Sequence, residues 1–127
     1  MKNPSSLLTE VELELMTIIW RRQQATVNEV LAELPKGRDL AYTSVSTILR
    51  ILEQKGVLKA QKEGRGHLYI PLLTKNDFEK RTVKHVVDKV FDGTPVALVR
   101  RLLGSVALDA EELAEIKRLL AAQEKKL

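Results

Sequence analysis

The chain has 127 residues, of which 44% are hydrophobic and 30% are charged, a balance typical of one small globular domain with at most a short appended element. It contains no cysteine, which excludes disulfides, thiolate metal sites and cysteine nucleophiles. No apolar run approaches the ~18 residues of a membrane span, and residues 1–6 carry no signal-peptide pattern, so we expect a cytoplasmic protein that does not enter a membrane.

The positive charge is concentrated in the middle of the chain. Residues 36–65 contain seven basic and three acidic side chains, a surplus of four that equals the formal net charge of +4 for the whole chain. A basic segment between neutral flanks favours a polyanion such as nucleic acid as the partner, although a solvated loop with a few lysines has the same composition.

Three amphipathic helices are predicted in the first half of the chain. Thr9 with Glu12 and Thr26 with Glu29 have the spacing of capping boxes, and apolar residues recur at helical spacing behind each pair. The third helix has its apolar face on residues 45, 48, 49 and 52 and ends at Gly56, where a helix C-terminal glycine belongs.

A β-hairpin is predicted after the third helix because the apolar period changes to two. Leu58 and Ala60 alternate with polar residues, residues 68, 70 and 72 alternate on the return run, and residues 63–66 form the turn. Pro71 cannot donate to a central ladder, so the second strand is an edge or ends there. Three helices followed by a hairpin predict a winged helix-turn-helix domain over residues 1–73, in a mainly α fold.

Residues 74–127 are predicted to form three more helices. Thr74, Thr94 and Asp109 are their predicted starts, and Gly93 and Gly104 end the first two. Helices of this size bury little apolar area alone, so we expect a helical dimerisation domain that pairs with a second copy, the alternative being that they fold back on the N-terminal domain. The residues expected to form this homodimer interface are Val83, Val86, Val87, Val90, Phe91, Leu98, Leu102, Leu113, Ile116 and Leu120.

The polar face of the third helix is the candidate DNA-binding surface. Short hydroxyl side chains allow close approach to DNA, Arg50 can contact guanine through two hydrogen bonds, and Gln54 can reach adenine or a phosphate. On the hairpin, Lys59, Lys62 and Arg65 suit phosphates or the minor groove. Each residue alone is also compatible with an ordinary exposed position. The residues predicted on the helix are Tyr42, Thr43, Ser44, Ser46, Thr47, Arg50 and Gln54.

The remaining chemistry-bearing residues favour packing roles. Tyr42 is expected to pack on the second helix as well as to reach a phosphate, and Trp20 is expected in the core. His67 and His85 have no partner at ligand spacing, so we interpret them as surface or packing residues and predict no metal site. No nucleophile–base pair or glycine-rich phosphate loop is present, so we predict neither an enzyme nor a cofactor.

Several segments along nearly the whole chain form one ordered pattern. They are LTE (8–10), IW (19–20), ATVNEV (25–30), LAYTSV (40–45), LEQKG (52–56), GR (64–65), YIP (69–71), FDGTP (91–95) and LV (98–99). In order and spacing this pattern resembles the penicillinase repressor family, the BlaI and MecI group that includes CopY-like copper regulators. The resemblance implies a homodimeric repressor of palindromic operators in double-stranded DNA, joined through its C-terminal helices. Thr43, Ser44, Thr47 and Arg50 match the recognition-helix contacts of the family.

The resemblance also bears on how such a repressor is released. Family members that control β-lactam resistance are inactivated when a membrane metalloprotease system cuts the dimerisation region, commonly at an Asn-Phe bond, whereas the matching place here is Arg101-Leu102. Copper-responsive relatives carry C-terminal cysteines, which this chain lacks. The inducing signal, and any sensor or protease partner, therefore stays open. Two other functions remain as alternatives: a winged-helix module that binds a protein, and a regulator that senses a small molecule.

Overall fold

The computed structural model describes residues 8–127, which form six α-helices and one two-stranded antiparallel sheet. The mainly helical class with a single hairpin, predicted from the sequence, is confirmed. In chain order the elements are α1 (Glu10–Arg22), α2 (Val27–Ala32), α3 (Tyr42–Gln54), β1 (Leu58–Glu63), β2 (Gly66–Pro71), α4 (Lys75–Val90), α5 (Pro95–Ser105) and α6 (Ala110–Glu124).

Side-chain caps fix where the first two helices begin. The Thr9 hydroxyl accepts a hydrogen bond from the Glu12 backbone N–H at 3.1 Å, and the Glu12 carboxylate accepts one from the Thr9 N–H at 3.0 Å. Thr26 and Glu29 form the same reciprocal pair at the start of α2. Each pair satisfies two backbone donors that the helix itself leaves open. Both predicted capping boxes are therefore confirmed.

The turn of the hairpin lies at residues 63–66, as predicted. Glu63 pairs with Gly66 in the ladder, so the turn contains only Gly64 and Arg65. Gly64 has a φ of +59°, a value that glycine adopts without steric cost and that suits a two-residue hairpin turn. As predicted, β2 ends at Pro71.

The predicted alternation of β2 is wrong at its C-terminal end. Tyr69 is buried, whereas Leu72 is 57% exposed. Ala25 explains the difference, because its backbone exchanges two hydrogen bonds with Tyr69, of 3.0 and 2.8 Å, and holds β2 against the connection between α1 and α2. Leu72 lies beyond the last strand residue, and its N–H bonds to the carbonyl of Val57.

One hydrophobic core joins the three helices and the hairpin. Leu15, Ile19, Val30, Leu49 and Leu52 have no exposed area, and they come from α1, α2 and α3. Trp20 is half-buried and packs against this core, in partial agreement with the prediction that it lies within it. Its Nε1 donates a 2.9 Å hydrogen bond to the carbonyl of Leu73.

A charged pair crosses the edge of the core. Glu12 is 6% exposed, and its carboxylate accepts a 2.7 Å hydrogen bond from the Nζ of Lys55. Burial raises the pKa of the Glu12 carboxyl, but hydrogen bonds from Lys55 and from Thr9 outweigh it, so this pKa lies below its ordinary value. The pair fastens the start of α1 to the end of α3.

The described chain divides into two compact units, residues 8–85 and residues 86–127. The division falls inside α4 rather than at the predicted boundary after Leu73. Phe78 accounts for this, since its ring lies 5.5 Å from that of Trp20 and the side chain packs against the N-terminal core. The first turns of α4 therefore belong with the first unit, and the functional division at Leu73 stays a prediction.

The helices after the hairpin bury little of their own apolar surface. Asp109 caps α6 by accepting a 2.8 Å hydrogen bond from the Glu112 N–H, as predicted. Thr94 is the N-cap of α5, as predicted, although its side chain makes no hydrogen bond there. The predicted end at Gly104 is one residue early, since α5 continues to Ser105. None of the side chains of α4, α5 or α6 is buried.

Candidate nucleic-acid interface

The outer face of α3 is polar and open. Its apolar residues Val45, Leu49 and Leu52 point into the core, which leaves the opposite side of the helix free. Of the seven residues predicted there, Ser46 is partly buried and the other six are exposed, namely Tyr42, Thr43, Ser44, Thr47, Arg50 and Gln54. The structure thus presents these side chains together on one helix.

Tyr42 faces the start of α2 but is not buried in the core. Its side chain is 49% exposed, and it lines a cavity of about 280 Å³ with residues from the start of α2 and from the hairpin tip. Tyr42 is the first residue of α3, and the core side of the helix begins one turn later at Val45, so the ring lies outside the core. Asn28 lines the same cavity and was not among the residues singled out from the sequence.

Ion pairs neutralise two cations of the basic segment, residues 36–65. Lys55 pairs with the buried Glu12 at 2.7 Å, and Arg38 pairs with Glu14 at 3.0 Å. Both carboxylates belong to α1, which counting charges along residues 36–65 cannot reveal. Within residues 8–127, no carboxylate lies within 4.0 Å of the remaining cations of this segment, Lys36, Arg50, Lys59, Lys62 and Arg65.

A second cavity lies between α3 and the hairpin and has a volume of about 400 Å³. Register explains which hairpin residues face it: Lys62 is directly opposite His67, and Ala60 is opposite Tyr69, so all four point to one side of the sheet. From α3 the cavity receives Ser46, Arg50 and Glu53. Burial raises the pKa of the Tyr69 phenol above its ordinary value.

His67 also borders this region. It is exposed, in agreement with its interpretation as a surface or packing residue, and it lines both cavities. It lies two residues before the buried Tyr69, on the same face of the strand. His85 lies in α4 and lines neither cavity.

The residues predicted for dimerisation stay unburied in the described chain. Five are partly buried (Val86, Val87, Phe91, Leu98 and Ile116), and five are exposed (Val83, Val90, Leu102, Leu113 and Leu120). Arg101 and Leu102, the place matching the family's cleavage region, are exposed on α5.

Between residues 8 and 127, no group of three or more His, Cys, Asp or Glu side chains is arranged to hold a metal ion. No helix in that range is both long enough and apolar enough to cross a bilayer.

Three helices followed by a hairpin, with an open polar face on the third helix, define a winged-helix domain of the kind that binds DNA. Residues 8–122 match the family model described as penicillinase repressor. The chain belongs to the penicillinase repressor family, which is a family of transcriptional repressors and not of enzymes. Both the predicted family and the prediction that the chain is no enzyme are confirmed.

Individual relatives agree with this assignment. The penicillinase repressor of Bacillus licheniformis is 30% identical over 113 residues, which cover 89% of this chain and 88% of the relative. The methicillin resistance regulatory protein MecI of Mammaliicoccus sciuri is 27% identical over 94% of this chain and 98% of its own length. Among solved structures, the DNA binding domain of the repressor BlaI is 35% identical, with a TM-score of 0.52, and the match covers 61% of this chain and 93% of that domain.

Proposed function

We propose that this chain represses transcription by binding palindromic operators in double-stranded DNA as a homodimer, with α3 of each copy in the major groove. The observation that carries the proposal is the exposed polar face of α3 within a winged-helix domain of the penicillinase repressor family. Similarity to the DNA binding domain of BlaI supports the same use of this surface. Such a protein acts in the cytoplasm, where the DNA is.

The residues of this surface divide by the part of DNA that they suit. Thr47, Arg50 and Gln54 have the donors and acceptors that distinguish base edges, with Arg50 matched to guanine. Ser44, Ser46 and the Tyr42 phenol suit phosphates, as does Thr43 near the start of the helix. On the hairpin, Lys59, Lys62 and Arg65 are exposed cations for the neighbouring backbone or the minor groove.

Pairing of two copies is supported by the uncovered apolar side chains of α4, α5 and α6. Val90 is 65% exposed, Leu113 is 42% exposed and Leu120 is 58% exposed. An exposed apolar set of this kind is typical of a protein–protein contact. A two-fold dimer also suits the operator, because it presents two copies of α3 to half-sites about 34 Å apart.

Release follows from the same arrangement. Two linked half-sites bind far more tightly than one, so any event that weakens the dimer lowers operator occupancy. We propose that the releasing signal acts on residues 74–127, with proteolysis near Arg101 and Leu102 as one route, since both residues are exposed.

The direct test is selection of bound sequences from random duplex DNA, combined with the mass of the protein in solution at the same concentration. We expect enrichment of a palindrome and the mass of a dimer. A dimer that enriches no sequence above non-specific binding would contradict the repressor function and favour a protein-binding module. A monomer that enriches a single half-site would contradict the dimer alone.

A further inference from the structure

A third cavity lies between α1, the end of β2 and the start of α4. Its volume is about 530 Å³, within the range of roughly 300–1,000 Å³ that is typical of small-molecule sites. Its lining residues in the described chain lie between positions 17 and 75, so the cavity is formed within the first compact unit. None of them comes from α3. The cavity is therefore separate from the surface assigned to DNA.

The half-buried part of this cavity is apolar. Trp20, Ile70 and Pro71 are its half-buried lining residues. The indole is held in place, because its Nε1–H donates to the Leu73 carbonyl at 2.9 Å and the ring of Phe78 lies 5.5 Å away. A fixed aromatic ring beside an isoleucine and a proline is a preformed surface on which a flat aromatic molecule can pack.

The exposed part of the cavity is polar, and its charges are all positive. Arg21 and Lys75 are its two charged side chains, and no acidic residue of the described chain lines it. The other exposed lining residues carry two hydroxyls and one amide, from Thr17, Thr74 and Gln23. An apolar base beside two cations is complementary to a molecule that has an aromatic body and a negative charge.

The acidic partners of the two cations leave them available to a ligand. Arg21 lies 3.4 Å from Glu33, whose carboxylate has a closer partner in Arg22 at 2.6 Å. Arg21 can therefore turn to a ligand while Glu33 stays paired. Lys75 pairs with Glu79 across one turn of α4, and both side chains are more than half exposed, so this pair holds the lysine weakly.

We propose that this cavity binds a planar aromatic carboxylate, whose ring packs on Trp20 and whose carboxylate is bound by Arg21 and Lys75. A guanidinium can donate two parallel hydrogen bonds to one carboxylate, whereas an ammonium acts as a point charge, so Arg21 is the main anchor. The site goes beyond the proposed function, because it uses none of the residues assigned to DNA or to dimerisation.

Trp20 allows binding to be observed at the cavity itself. The chain contains one tryptophan, so its proton–nitrogen correlation spectrum has a single indole signal, that of the Trp20 Nε1–H. The experiment titrates the nitrogen-labelled full chain with cinnamate and, as the matched uncharged probe, with cinnamamide. Cinnamate should shift the indole signal to saturation and bind roughly three- to ten-fold more tightly than cinnamamide, since exposed charges contribute modestly.

Three variants assign the binding to this cavity. Arg21→Gln should weaken binding of cinnamate by roughly three-fold or more and leave cinnamamide unchanged. Arg81→Gln is the control, because Arg81 is an exposed cation of α4 that does not line the cavity, and it should change neither probe. Thr17→Phe adds a larger side chain at an exposed position of the lining and should abolish binding of both probes.

Several results would overturn the site. Equal binding of cinnamate and cinnamamide, or equal weakening by Arg21→Gln and Arg81→Gln, would contradict the role of Arg21. An indole signal that neither probe moves would show that the cavity takes no aromatic ligand, as expected if a second copy covers it. A Thr17→Phe variant with unaltered circular dichroism that still binds cinnamate would place the ligand elsewhere; if that variant does not fold, the comparison of the two arginine variants decides.

Discussion

The two compact units use the same kind of amphipathic helix with opposite results. In residues 8–85, the apolar faces of α1, α2 and α3 meet one another and the hairpin, and Leu15, Ile19 and Leu49 have no exposed area. In residues 86–127, the apolar faces stay open, and no side chain is buried. Helical periodicity therefore shows which side chains need covering, but the number of surrounding elements decides whether one chain can cover them.

Removal of a side chain from the core of residues 8–85 should have the largest effect. Leu49→Ala should lower the free energy of unfolding by about 2–5 kcal/mol, since the lost contacts and the cavity both count. Ile51→Ala, on the same helix but 39% exposed, is the control and should cost much less. Urea unfolding followed by circular dichroism measures both at one protein concentration. Equal losses would show that the core is not closed around Leu49.

A charge introduced on the exposed apolar faces of residues 86–127 should weaken dimerisation and not folding. Leu98→Asp places a carboxylate within the predicted dimer interface and should convert a dimer to a monomer, with roughly a 100-fold loss of operator affinity as the linked half-site is lost. Sedimentation gives the mass, and fluorescence anisotropy with labelled operator gives the affinity. Leu72→Asp is the control, because Leu72 is an exposed apolar residue of the first unit. A dimer that survives Leu98→Asp would contradict the assignment of this face.

The DNA contacts should all lie in the closed unit. Arg50→Ala should cost about 1–3 kcal/mol of operator binding and relax the preference at one base position, whereas Lys62→Ala should weaken all duplexes alike and lower the salt slope by about one. Arg118→Ala, in α6, should change neither. Binding to the operator and to a scrambled duplex distinguishes the two patterns. Unchanged specificity in Arg50→Ala would leave Arg50 with a phosphate and not a base.

The smallest expected effect concerns the charged pair at the edge of the core. The pKa of the Glu12 carboxyl is lowered in the folded state. The ionised carboxylate therefore stabilises the fold fully above the unfolded carboxyl pKa of about 4.3, and this contribution disappears as the pH falls through the pKa of the folded state. Glu12→Gln keeps an acceptor for the cap but loses the ion pair with Lys55, so it should cost about 1–2 kcal/mol at neutral pH.

Urea unfolding at a series of pH values checks this prediction. The difference between the unaltered protein and Glu12→Gln should narrow as the solution is acidified below the carboxyl range. Glu79→Gln is the control, since the Glu79 and Lys75 pair is exposed and should contribute less than about 1 kcal/mol. A difference that stays constant down to acid pH would contradict a charged Glu12.

Local signals in the sequence were sufficient for the elements of the fold. The Thr9 and Thr26 caps and the stop at Gly56 depend on neighbours within a few residues, and each is present in the structure. The winged-helix order could be predicted for the same reason, whereas the family was predicted from a pattern that extends along nearly the whole chain. Gly104 shows where such local signals fail. A glycine is tolerated inside the last turn when the backbone hydrogen bonds continue past it, as they do here from the Val106 N–H to the Leu102 carbonyl.

Contacts between distant residues could not be predicted from periodicity. Nothing near Ala25 indicates that it bridges Tyr69, and this bridge decides which face of β2 is covered. Likewise, Lys55 and Arg38 counted as part of a basic segment, although acids of α1 neutralise them. The cavity between α3 and the hairpin likewise depends on the hairpin register and on the approach of α3, which are properties of the folded chain.

The single tryptophan has a practical consequence for separating the two units. Trp20 is hydrogen-bonded to the Leu73 carbonyl and lies beside Phe78, all within residues 8–85. Its emission therefore reports on the first unit alone, because residues 86–127 contain no tryptophan. Far-ultraviolet dichroism, by contrast, records the helices of both units. Two melting curves from one sample, one optical signal for each, will show whether the open unit loses its helices before the closed one.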